Sequence, residues 1–209
     1  MDAREGLVVD SLRKEWPEKS VSASFSVPSG GSLAVLGPSG CGKSSVLRMI
    51  AGLLAPDAGR VWLDGVEITA LAPGKRRVGM VFQESALFSH LSVGDNIAYG
   101  LACRGVSRRE RREVARRWLG ALGLDGFDGR RVETLSGGER QRVALARTLA
   151  VEPGLVLFDE PLSALDAELR FRLGEELRSR QRELRYTAVY VTHDEGEAAR
   201  LADRVLRMA

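Results

Sequence analysis

The octapeptide GPSGCGKS, residues 37–44, constrains this chain more than any other stretch of it. It follows a short apolar run, SLAVLG (32–37), and precedes the helical pattern KSSVLRMIAGLL (43–54). The spacing is G-x-x-x-x-G-K-[ST], set between a predicted strand and a predicted helix. Gly37, Gly40 and Gly42 let the backbone turn so that consecutive N–H groups point at one anion. The dipole of the following helix favours phosphate at the same place. Lys43 is placed to meet β- and γ-phosphates, and the Ser44 hydroxyl to bind Mg²⁺. Pro38, Ser39, Cys41 and Ser45 complete the loop. The expected ligand is a nucleoside triphosphate.

A fold that can carry such a loop is visible around it. SLAVLG, RVGMVF (77–82), GLVLFD (154–159) and TAVYVT (187–192) are short, rich in Val and Leu, and apolar without alternation. That pattern suits parallel strands covered on both faces. Helical periodicity lies between them. KSSVLRMIAGLL gathers Val46, Leu47, Ile50 and Leu54 on one side and is expected to stop at Pro56. SRRERREVARRWLGALGL (107–124) gathers Val114, Trp118, Leu119 and Leu122, with arginines opposite. RLGEELRSRQRELRYT (172–187) reads as another amphipathic helix. The chain is therefore expected to be α/β, with a mainly helical section from about 85 to 150. Its 209 residues suffice for one domain with a sizeable core.

Other features bound the function. Cys41 and Cys103 stand far apart, so neither zinc spacing nor a disulfide framework is expected, which suits a reducing compartment. No secretory signal is visible in MDAREGLVVDSLRKEW, and no run approaches the ~18–20 apolar residues that cross a bilayer. Any membrane role is expected to come through a partner. The net charge of +3 does not imply nucleic acid. The stretch 103–118 nevertheless holds seven arginines against Glu110 and Glu113. A solvated helix face and a patch for acidic groups or lipid headgroups both fit it.

Four further residues belong with the phosphate loop. Asp159 closes a buried strand at its carboxyl end, the edge that holds ligands in open α/β sheets. It suits Mg²⁺, usually through water. Glu160, immediately after, suits orienting or deprotonating an attacking water. Gln83 and His193 emerge at the same edge, after VGMVF and TAVYVT. Gln can bridge metal and water, and His can hydrogen-bond a γ-phosphate oxygen. A second glycine-lined helix start, LSGGERQR (135–142), also needs explaining. Ser136 and Glu139 have capping-box spacing, so a well-capped helix is the plain reading.

Together GPSGCGKS, Gln83, LSGGERQR, LVLFDEP (155–161), SALD (163–166) and His193 resemble, in that order, the nucleotide-binding subunit of an ABC transporter. The resemblance covers essentially the whole chain. It implies a P-loop NTPase (RecA-like) core at about 1–84 and 149–209, with a mainly parallel sheet and an N-terminal antiparallel β region. A helical subdomain would be inserted at about 85–148. It implies ATP and Mg²⁺ as cofactors, with Ser44, Gln83 and Asp159 toward the metal, and Glu160, His193 and Gln83 as catalytic residues. Two subunits would sandwich ATP head to tail. Leu135, Ser136, Gly137, Gly138 and Glu139 of one would then close on the γ-phosphate held by the other, with Asp166 crossing the interface. The implied partners are a second copy or a paralogous ATPase, a membrane permease docked near 83–90 and, indirectly, an extracytoplasmic solute-binding protein. Nucleic acid is not among them. The implied location is peripheral, on the cytoplasmic face of the inner membrane. Trp16 falls where the family stacks an aromatic ring on adenine.

FQESALFSHLSVGDNIAYGL and FDEPLSALDAELR resemble importers serving sugars, ferric iron, molybdate, polyamines or thiamine. An exporter ATPase, an ABC ATPase acting on nucleic acid and a non-catalytic ATP sensor are the competing readings. The sequence departs from the family pattern at its end. RVLRMA leads to the expectation that the usual closing hairpin and C-terminal regulatory domain are absent.

Overall fold

The computed structural model describes residues 5–163 and 165–208. Ala164, within the SALD motif, lies outside the described residues. Two sheets pack around α1 (Lys43–Ala51). The first is antiparallel. A hairpin of β1 (Leu7–Trp16) and β2 (Lys19–Val27) is extended by β4 (Ala58–Leu63) and β5 (Val66–Glu67), in the order β2-β1-β4-β5. The second comprises β3 (Ser32–Leu36), β6 (Val78–Val81), β7 (Leu155–Asp159), β8 (Thr187–Thr192) and β9 (Arg204–Arg207). Its order is β6-β7-β8-β3-β9, and every pairing is parallel.

Uninterrupted apolar strands demand cover on both faces, and they receive it. Every residue of β3, β7 and β8 is buried. Alternate side chains then serve two cores. Leu33, Val35, Leu155, Leu157, Val189 and Val191 face α1 and the antiparallel sheet. Ala34, Leu36, Val156, Phe158, Ala188 and Tyr190 face the helices on the other side. Each fully buried Leu or Val contributes about 1.5–3 kcal/mol, so the register of these strands is tightly held.

The helical section between β6 and β7 contains α2 (Val93–Cys103), α3 (Arg108–Ala121) and α4 (Gly137–Leu149); α5 (Ala167–Leu184) and α6 (Glu195–Leu201) follow β7 and β8. On α3 the core-facing stripe centres on Ala115 and Leu119, and Val114 and Trp118 are only half-buried. Its arginines are exposed except Arg111, which is half-buried. No helix among the described residues is long and apolar enough to cross a membrane.

One local reading differs from the sequence expectation. α1 ends at Ala51, because Gly52 takes a left-handed φ of 80° and Leu54 falls beyond the helix. The buried guanidinium of Arg76 completes that end. It donates to the carbonyls of Met49 and Ile50 at 2.9 Å and of Leu71 and Thr69 at 2.8 and 2.6 Å. A cation on the last carbonyls of a helix opposes the dipole's negative end. The final residues also form structure: β9 lies along β3, and Met208 N–H donates to Leu36 at 2.8 Å, beside the start of the phosphate loop.

Candidate active site

Parallel register brings the four expected strand ends to one edge. Leu36 pairs with Thr192, Asp159 with Val191 and Val81 with Phe158. The residues that follow each strand therefore emerge side by side. In the loop after β3, Gly42 adopts a φ of 105°, which a side chain would resist. Val46 N–H then donates to Gly42 at 3.0 Å to start α1. Of the six α-helices among the described residues, α1 alone lacks a side-chain cap; Ser92, Ser107, Ser136, Asp166 and Asp194 cap the others. Its first turn also carries no acidic residue. The amides that other helices satisfy internally are thus left for an external anion.

Lys43 is buried, and its ammonium donates to the carbonyls of Gly37 at 2.8 Å and Pro38 at 2.9 Å. The Ser44 hydroxyl donates to Oδ1 of buried Asp159 at 2.7 Å. A hydroxyl and a carboxylate in contact beside a phosphate cradle form an oxygen donor set that fits Mg²⁺. Ser44 and Asp159 would hold that ion.

Glu160 has a φ of 46°, uncommon for a side-chain-bearing residue and costly unless its surroundings impose it. They do so through hydrogen bonds on both sides of the residue. Glu160 N–H donates to Val191 at 3.0 Å, and its carbonyl accepts from the Ser163 hydroxyl at 3.1 Å. From this left-handed turn the Glu160 carboxylate places Oε2 3.5 Å from Nδ1 of His193. Gln83, two residues beyond β6, joins the group through Nε2, which donates to Ser163 Oγ at 3.3 Å. Ser163 therefore bridges Gln83 to Glu160, a role sequence spacing did not assign it.

Trp16 closes the β1–β2 hairpin opposite Lys19, whose ammonium sits 5.2 Å from the ring centre. It is half-buried and shares a strand face with the residues paired to Val21, which packs on Gly42. At the LSGGERQR helix the capping box is made in full. Ser136 Oγ accepts from Glu139 N–H at 3.3 Å, and Glu139 Oε2 accepts from Ser136 N–H at 2.7 Å. The Ser136 N–H holds the Glu139 carboxyl below the usual glutamate value. Leu135 is buried, and its carbonyl accepts from Arg140 at 2.6 Å. The two glycines differ. A Cβ on Gly138 would come within 2.8 Å of Leu169, whereas one on Gly137 would meet nothing within 4 Å. Packing inside the chain explains the second glycine and not the first. Asp166 is exposed and caps α5 by accepting from Leu169 N–H at 2.9 Å.

A P-loop nucleotide-binding core with this edge defines a class, and the family pattern described as ABC transporter matches residues 21–163. The chain belongs to the ABC transporter family. It is 54% identical over 186 residues to the sulfate/thiosulfate import ATP-binding protein of Chromobacterium violaceum, covering 89% of this chain and 50% of that protein. It is 43% identical over 210 residues to the Fe(3+) ions import ATP-binding protein of Pasteurella multocida, covering 100% of this chain and 60% of that one. The chain thus spans about half to three-fifths of the length of these relatives. Among solved structures it is similar to the ATP-binding cassette MJ0796, a dimer in a post-hydrolysis state bound to ADP and Pi. The TM-score is 0.83 at 30% identity, over 97% of this chain and 94% of that one. The expected fold and family are the observed ones, and the importer-type resemblance agrees with these relatives.

Proposed function

We propose that this chain binds and hydrolyses ATP to drive solute import through a membrane permease, working as a head-to-tail dimer on the cytoplasmic face of the membrane. The single observation that carries this reading is the convergence at one sheet edge of Lys43, the Ser44–Asp159 pair and the Glu160–His193 pair. Lys43 and the uncapped amides of α1 bind the phosphates, with the lysine exchanging its two loop carbonyls for phosphate oxygens. Trp16 stacks on the base. Glu160 accepts a proton from the water that attacks the γ-phosphorus, and the bond to the β-phosphate oxygen breaks to give ADP and phosphate. His193 hydrogen-bonds the γ-phosphate, and Gln83 reports its presence to the helical subdomain at 85–148. Mg²⁺, when bound, neutralises charge on the β- and γ-oxygens.

The open side of Gly137 supports a dimer, because it leaves that first turn of the helix approachable by the phosphate of a second copy. A surface for the permease is supported at 83–91. Asn96 holds that segment by accepting from Phe88 N–H at 2.8 Å and donating to Phe88 at 3.0 Å and Leu91 at 3.4 Å. Arg147 donates to Ala86 at 2.8 Å, and exposed Tyr99 lies 4.4 Å from the Phe88 ring. The decisive experiment is Glu160→Gln, which keeps the shape but removes the proton acceptor. ATP should bind with near wild-type affinity while hydrolysis falls by about 10²-fold or more. Undiminished hydrolysis would remove Glu160 from the mechanism.

A further inference from the structure

Glu197 is a buried carboxylate, 5% exposed, that the mechanism above does not use. It lies in the first turn of α6, four residues after His193. Its Oε2 accepts from the Thr192 hydroxyl at 3.1 Å. The same hydroxyl accepts from Asp194 N–H at 3.1 Å, and Asp194 Oδ1 accepts from Glu197 N–H at 2.7 Å. The residues on either side of His193 are thus tied to one another, while the imidazole itself stays more than half exposed toward Glu160. Glu197 Oε1 is buried and has no hydrogen-bond partner among the described residues.

Across the packed α5–α6 contact stands Arg170. Its guanidinium donates to Leu165 at 2.8 Å, at the base of the segment that carries Asp166. Its Nε is also buried and also has no partner among the described residues. Burial raises the Glu197 carboxyl above its ordinary value, and the charge of Arg170 counters this. A buried carboxylate on α6 and a guanidinium on α5, each with one polar atom left without a partner, thus stand on two neighbouring elements.

We infer that Glu197 is a positioning residue for His193, holding the His193 turn through the Thr192 hydroxyl and the Asp194 carboxylate that flank it. This rests on the reading of His193 given above. Fixing a reacting group to within an ångström is worth large rate factors.

The test measures turnover per bound ATP in the full-length protein, alongside ATP affinity and melting temperature. Glu197→Ala and Thr192→Val should each lower kcat by about 10-fold or more, with KM for ATP within about twofold of wild type. Thr192→Ser, which restores the hydroxyl, should recover most of the rate. Glu197→Gln keeps an acceptor for Thr192 but no charge for Arg170, and should fall between. In a His193→Ala background Glu197→Ala should cost nothing further, because both act through one group. Wild-type kcat in Glu197→Ala beside a disabled His193→Ala would overturn this inference alone. So would losses that add, or a loss of folded protein with unchanged turnover per bound ATP. A fully active His193→Ala would remove the role of His193 and this inference with it.

Discussion

At the scale of single residues, the site shows side chains held back by bonds that a substrate would replace. Lys43 rests on two carbonyls and Ser44 on Asp159. Trp16 is half-buried, with the Lys19 ammonium over its ring at 5.2 Å. Trp16→Ala should weaken ATP binding by about 1–3 kcal/mol on the scale of base stacking, and Trp16→Tyr should be mild. An ATP titration of the alanine variant checks this, and an unchanged affinity would leave Trp16 a packing residue. Most of the site was legible at this scale, since phosphate chemistry needs glycine, lysine and a hydroxyl at fixed spacing. Ser163 was not. Its bridge from Gln83 to Glu160 depends on the left-handed turn at Glu160, and no local residue preference announces that turn.

At the scale of elements, β3, β6, β7 and β8 were readable as nearly continuous apolar runs, whereas the exposed parallel strand β9 was not. The antiparallel strands β4 and β5 were not, because half-exposed sequences such as AGRVWL carry weak alternation. The end of α1 was misplaced for a related reason: its terminator includes Arg76, distant in sequence. Arg76→Met should destabilise the protein by about 2–4 kcal/mol, leaving buried carbonyls unpaired. Chemical denaturation measures it, and a loss below half a kcal/mol would mean that water replaces the guanidinium. The start of α4 has a pH signature. The folded value of Glu139 is depressed, so its contribution is present above the ordinary glutamate value of about 4.3 and is lost as pH falls through the folded value. Wild type should therefore melt above Glu139→Gln at neutral pH, and the gap should close in acid. A gap that persists in acid would assign the difference to shape rather than charge.

At the scale of the whole molecule, the open face at Gly137 and the exposed Asp166 predict assembly. Glu160→Gln should be monomeric alone and dimeric with ATP by light scattering, and adding Ser136→Arg should abolish the dimer. A dimer unaffected by Ser136→Arg would place the interface elsewhere. That part of the function was legible only by resemblance, because a contact completed by a second copy leaves no trace in one chain's core. The edge strand β9 carries one more consequence. Just beyond it, the Met208 amide is bonded to Leu36, the residue from which the phosphate loop departs. A probe or tether attached just past residue 208 would thus pull on the cradle itself. Force applied there should change nucleotide dwell time, while the same tether on the exposed arginine face of α3 should leave it untouched.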